Sequence, residues 1–236
     1  MEPVLLLRLE GMLQSWGENG AFTYRDSAIL PTKSGVIGLL SCAMGLPRGD
    51  RRIFALQREV TMAVRADRQG RKMVDYQTVH SDAFKTAKGD LKKTPGNPPG
   101  DFTIIVHKTF LQDSCFTVAL QGPMKVLLQI KKALQQPVWP IYLGSKCCVP
   151  SAPIYRGIVE AQTPETALRA AALCRRADAK QLLEWETKDP TATYRSDVVR
   201  RGRRFYERPV QRDILERPEG RLVWLDTPLG GDGTCI

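Results

Sequence analysis

Few side chains in this sequence are equipped for chemistry. His107 and Lys108 are adjacent, and Tyr24 and Tyr76 are tyrosines that a fold can bring beside them. An imidazole that moves a proton at a 2′-hydroxyl, supported by an ammonium and a phenol, is what metal-independent RNA cleavage needs. The inventory is thin, because His80 and His107 are the chain's two histidines and neighbours in a strand point to opposite faces. A structural or RNA-contacting His107 is therefore the preferred reading. Thr32-Lys33-Ser34 invites a phosphate-loop reading, but Ser27 stands where such a loop requires glycine. What survives is a helix start whose N–H groups, with Lys33 beside them, offer an anion site, or else a capped and buried helix. No G-x-G-x-x-G follows a strand, and the aromatic signature of standard RNA-recognition motifs is missing. The six cysteines form no C-x-x-C and lack a nearby histidine, so neither a metal nor a cofactor is expected.

Charge suggests the partner. Lys and Arg number 35 against 25 acids, a formal net charge of +10, which points to a polyanion. From Arg195 to Arg221 nine arginines meet five acids, with Phe205 and Tyr206 beside Arg203, Arg204 and Arg208. Arginine forks grip phosphates and aromatic rings stack on bases, so this stretch suits RNA. The alternative is a solvated face with internal ion pairs. No apolar run is long enough to span a membrane, and Met1-Glu2-Pro3 does not begin a secretory signal. A reduced cytoplasmic setting is expected.

The elements that must position these groups follow from periodicity. Val4 to Glu10 reads as a buried strand. Ser34 to Gly45 reads as a helix capped by Ser34 and stopped by Gly45. Val60 to Ala66 alternates as a half-buried strand, and Cys115 to Leu120 is another. A helix spans Met124 to Gln136. Ile154 to Glu160 is a fourth strand, and Thr163-Pro164-Glu165 starts a helix running toward Glu186. The order β-α-β-β-α-β predicts an α+β, ferredoxin-like (RRM-like) core. Between its second and third strands lie roughly fifty residues where a hairpin link would serve. Lysines, a Pro/Gly-rich tip and the strand-like run Phe102 to Val106 mark this insertion as a protruding arm, or else as a tolerated loop.

Several blocks, in order, resemble a known family. Leu5-Leu-Leu-Arg-Leu-Glu-Gly11 with Met12-Leu-Gln-Ser-Trp-Gly17 is similar to the opening of CasD-type subunits of the type I-E CRISPR Cascade complex, members of the RAMP superfamily. Phe22-x-x-Arg25 and Pro31-Thr-Lys-Ser-Gly-Val-Ile-Gly-Leu-Leu40 match that family's most distinctive block. Asp75-Tyr-Gln-Thr-Val79 and Thr109 to Leu120 resemble the flanks of its thumb, and Tyr142 to Pro150 its loop before the last core strand. At the thumb base many relatives carry Arg, an acid and Tyr, where this chain has His107-Lys108.

The resemblance implies a core over residues 1–165 with a thumb hairpin at about 77–111, then 166–236 as a helix and a small arginine-rich C-terminal β region. It implies a non-catalytic subunit that grips the 5′ handle of the CRISPR guide RNA and caps the backbone-subunit filament. The subunit would touch the large subunit and meet target DNA only through the assembled complex. Expected RNA contacts are Trp16, Arg25, Lys33, Ser34, Gly35, Lys92, Lys93, His107, Lys108, Lys146, Arg203 and Arg204. The alternative is a metal-independent endoribonuclease processing precursor CRISPR RNA with His107 and Lys108 near Tyr24.

Overall fold

The structure, a computed structural model, describes residues 1–20, 23–81, 84–85, 91–92, 102–200 and 204–227. The side chains at 81, 84–85, 91–92, 102, 199–200 and 204–205 are outside that description. The chain opens with β1 (Glu2–Gln14), the short β2 (Tyr24–Arg25), α1 (Lys33–Ala43) and α2 (Arg51–Glu59). Next come β3 (Thr61–Arg68), β4 (Arg71–Ser81), β5 (Phe84–Lys85), β6 (Leu91–Lys92) and β7 (Phe102–Gln121). After α3 (Met124–Gln135) follow β8 (Tyr155–Ala161), α4 (Pro164–Ala170), β9 (Gln181–Glu186), β10 (Thr193–Arg200), β11 (Arg204–Leu215) and β12 (Val223–Asp226).

One large sheet runs β10-β11-β9-β3-β7-β1-β8-β12, with β2 and β4 also paired to β7, while β5 and β6 pair with each other. The four anticipated strands lie together as β3-β7-β1-β8, each antiparallel to its neighbour. Strands beyond residue 165 lengthen this sheet at both edges, β9 along β3 and β12 along β8.

Both faces of the sheet are covered. Val36, Ile37 and Leu40 of α1, Leu56 of α2, and Leu127 and Ile130 of α3 pack with Leu5, Leu7, Val64, Phe116 and Val118 on one face. On the other, Ala167 and Leu168 of α4 pack with Val4, Leu6, Ala63 and Leu183, beside Trp185 and Trp224. Strand β3 is consequently buried from Met62 to Asp67 on both faces rather than half-buried as its alternation suggests, and even Arg65 is 0% exposed.

Three local readings need correction. The cap of α1 is Thr32, whose Oγ1 accepts from the Gly35 amide at 3.2 Å, and not Ser34. The helix begun at Pro164 does not reach Glu186. It stops at Ala170 because the Arg65 guanidinium takes the carbonyls of Leu168, Ala171 (2.7 Å) and Ala172 (3.0 Å), which a longer helix needs for its own amides. The runs at 102–106 and 115–120 are one strand, β7, which turns at Asp113 through a left-handed φ of 53°. Arg68 braces that turn, donating to the Asp113 carbonyl (2.7 Å) and carboxylate (2.8 Å). Among the described residues no helix is long and apolar enough to cross a membrane.

Candidate nucleic-acid interface

Beyond Asp113, toward its N-terminus, β7 pairs with β4 from Gln112↔Arg71 to Phe102↔Ser81, forming a long ribbon. At the root of this ribbon β2 lies parallel to the other edge of β7, with Tyr24 opposite His107 and Arg25 opposite Lys108. On β4, Tyr76 faces His107 and Asp75 faces Lys108. Two rows therefore cross three strands: Tyr24–His107–Tyr76, then Arg25–Lys108–Asp75. Successive strand residues point to opposite sides, so one face is aromatic and the other charged.

In the aromatic row, His107 stacks on Tyr24 with centroids 4.9 Å apart and planes 7° apart. Tyr76 meets the imidazole edge-on at 5.3 Å and 77°. The two tyrosines keep 64% and 58% of their surface in solvent. His107 Nδ1 is buried without a hydrogen-bond partner, while its main-chain N–H donates to the Thr23 carbonyl at 2.7 Å.

A second loop is tied to this root through Ser15. Its Oγ donates to the Thr109 carbonyl at 3.4 Å, and its N–H donates to the Leu143 carbonyl at 3.0 Å. Gly144, at φ 85°, approaches so closely that a Cβ there would sit 1.7 Å from the Ser15 carbonyl oxygen. The loop thus held carries Lys146, which is exposed.

The structure brings together Arg25, His107 and Lys108, with the Lys146 loop anchored beside them. It places Trp16 and Lys33 elsewhere. Trp16 is 1% exposed, its indole N–H donating to Gln14 Oε1 at 3.0 Å, so the ring supports the loop from within. Lys33 is also buried: Nζ donates to the Val60 carbonyl at 2.9 Å and pairs with Glu186, 2.9 Å from Oε1. The anion at the start of α1 is the protein's own Asp197, whose Oδ2 accepts from the Lys33 amide at 2.8 Å. This corrects the expectation of an open phosphate site there. Ser34 and Gly35 complete the capped turn, half-buried against Thr32 and the Trp16 ring.

The same internal pairing claims part of the arginine-rich segment. Arg195 donates to Glu184 Oε1 (2.7 Å), Glu18 Oε1 (3.0 Å) and the Leu30 carbonyl (2.8 Å). Arg208 donates to Asp197 (2.6 and 2.8 Å), and Arg212 to Glu184 Oε2 (2.9 Å). Burial opposes the charge on Arg208, yet Asp197, Glu186 and Glu184 together hold its guanidinium above its ordinary pKa. Lys92, Lys93, Arg203 and Arg204 fall outside the described side chains. The aromatic flanks Tyr24 and Tyr76 were not among the predicted RNA contacts. Their nearest signal was the adjacency of Tyr24 to Arg25 and of Tyr76 to Asp75; the pairing of β2 with β7 leaves no local trace.

The chain is similar in sequence and fold to several known proteins. The family model described as CRISPR-associated protein (Cas_Cas5) matches residues 4–211. The CRISPR system Cascade subunit CasD of Escherichia coli (strain K12) is 32% identical over 180 residues, which is 71% of this chain and 76% of that protein. A chain from a CRISPR RNA-guided surveillance complex superposes with a TM-score of 0.71 at 32% identity, covering 91% of each chain. A crystal structure of a Cas protein gives 0.67 at 33% identity, covering 92% of this chain and 98% of that one.

Proposed function

Since the chain belongs to the Cas5 family of CRISPR-associated proteins, we propose that it is a non-catalytic, RNA-binding subunit of a Cascade-type complex in the cytoplasm. It grips the 5′ handle of the guide RNA and caps the end of the backbone-subunit filament, touching the large subunit and meeting target DNA through the assembly. In this reading β3-β7-β1-β8 is the ferredoxin-like core within residues 1–165, the β4–β7 ribbon is the thumb, and residues 166–236 are a C-terminal addition.

The observation that carries the proposal is the pair of rows crossing β2, β7 and β4. An RNA strand passing over the β2 edge can lay a base against the exposed Tyr24 ring and a phosphate against Arg25 and Lys108 on the opposite face. Lys146 extends the cationic surface. Lys92, Lys93, Arg203 and Arg204 are further proposed contacts. Sequence discrimination belongs to guide pairing, and the protein supplies shape and charge.

The test is reconstitution with the remaining Cascade subunits and repeat-containing precursor RNA in EDTA. The expected product is a complex holding one discrete guide RNA, with RNA left intact by this chain alone. Arg25→Ala and Lys108→Ala each lower the salt dependence of handle binding by roughly 0.7 in log–log slope, the value for one phosphate contact on a single strand. Cleavage by the chain alone, lost in His107→Ala, would overturn the proposal in favour of a nuclease.

A further inference from the structure

Cys115 and Cys174 are brought face to face by parts of the fold far apart in sequence. Cys115 lies on β7 two residues beyond the Asp113 turn, and Cys174 lies in the loop between α4 and β9. Their sulfur atoms and an Asp67 carboxylate oxygen all lie within 4.8 Å of one another. Both thiols are free and buried, Cys115 at 0% and Cys174 at 7% exposure. The loop is fixed against the strand: the Cys174 amide donates to Asp67 Oδ2 at 3.0 Å, and Arg68 Nη1 donates to the Arg175 carbonyl at 2.9 Å.

Two thiols and a carboxylate also resemble a metal site, but the carboxylate is committed. Asp67 accepts from Arg65 Nε (2.6 Å), Thr117 Oγ1 (2.9 Å) and the Cys174 amide. The guanidinium of Arg65 beside it repels a divalent cation, and two thiols alone do not complete a tetrahedral set.

We propose that Cys115 and Cys174 form a dithiol oxidised by small hydroperoxides, closing to a disulfide that staples the α4–β9 loop to β7 at the root of the ribbon.

The roles of the two sulfurs differ. The Cys115 thiol beside it and Arg68 Nη1, 4.0 Å from the sulfur, hold the Cys174 thiol below its ordinary pKa against burial and the nearby Asp67 and Glu10 charges. The neighbouring Cys174 sulfur and burial push the Cys115 thiol up, so it keeps its proton. A cavity of about 30 Å³, lined by Asp67, Thr117, Ala172, Trp224 and Cys174 among others, opens beside Cys174. That is room for small molecules the size of water or hydrogen peroxide, and too little for a bulky disulfide such as oxidised glutathione.

The Cys174 thiolate attacks one peroxide oxygen, and the O–O bond breaks. The departing hydroxide takes a proton and leaves as water, so Cys174 becomes a sulfenic acid. The Cys115 sulfur then attacks the Cys174 sulfur, releasing its proton to the departing hydroxyl as the S–O bond breaks. Two thiols and one hydrogen peroxide give one disulfide and two waters. Cys115 needs no solvent access, because its target is delivered by Cys174.

The test uses the full, reduced chain treated with hydrogen peroxide, unfolded in an alkylating agent and mapped by peptide mass spectrometry. The expected result is a linked peptide pair containing Cys115 and Cys174, cleaved by dithiothreitol. In Cys115→Ser, Cys174 is instead captured by dimedone as a sulfenic acid. Both thiols remaining alkylatable after the exposed Cys147 is fully oxidised would overturn the proposal. So would stoichiometric zinc in the purified protein, released on blocking the two thiols.

Discussion

A methyl group at residue 35 would lie 2.7 Å from Trp16 Cε3 and 2.8 Å from Thr32 Oγ1, closer than Cβ atoms are found. Both neighbours are buried, so neither can swing away. Gly35→Ala should therefore cost about 1–3 kcal/mol by overpacking, read as a lowered urea midpoint. The exposed ring of Tyr24 offers the opposite case. Its removal leaves the core intact, and Tyr24→Ala should weaken binding of a single-stranded repeat RNA by about 1–3 kcal/mol, roughly one stacked base, in a titration at fixed salt. Combining it with His107→Ala should add less than the sum, since the two rings are in contact. At this scale the sequence told residue type but not partner. Arg25, His107 and Lys108 were legible as cationic or aromatic groups and do converge. Lys33 looked equally available, yet the Glu186 that neutralises it lies 153 positions away, a separation no local pattern reveals.

Elements whose signals are local were read nearly to the residue: α1, α3 and β8 follow from apolar spacing and from stops such as Gly45, while β1 runs on past its apolar stretch to Gln14. Elements defined by distant partners were not. Strands β9 to β11 exist as an extension of the sheet beyond β3, and α4 ends where Arg65 captures its carbonyls. Arg65 and Asp67 are both within 1% of complete burial. Arg65→Ala should accordingly cost about 3–5 kcal/mol in equilibrium unfolding, leaving Asp67 as an unpaired buried charge. The strand β12 depends on a titratable clamp. Asp226 Oδ2 accepts from the Tyr155 hydroxyl at 2.5 Å and pairs with Lys131. Although burial opposes its charge, Lys131 and Tyr155 hold its carboxyl below the ordinary value. A carboxyl depressed on folding adds stability above its unfolded pKa of about 4, and that stability is lost as the pH falls through the folded value. Below about pH 4 the β12 amides should lose hydrogen-exchange protection, and Asp226→Asn should show the same loss at neutral pH.

Taken whole, the molecule is a two-faced sheet with a ribbon projecting from its middle strand. The β4–β7 ladder closes as far as Ser81 and Phe102. Replacing residues 82–101 with a short Gly/Ser link should therefore leave a folded chain with an unchanged melting temperature but sharply reduced incorporation into the Cascade-type complex, measured by co-purification. Normal incorporation would refute the thumb reading. The continuity of β7 has a mechanical consequence. Up to Gln112 its partner is β4, which continues β3 along the same edge, so both legs of the ribbon run on into the core sheet. From Cys115 onward the same strand is clasped between β1 and β3, so tension along it must break many bonds at once in shear. A load on the ribbon tip would therefore pass down both legs and into the core sheet in shear, making β7 a tension rod that ties the arm to the body of the molecule.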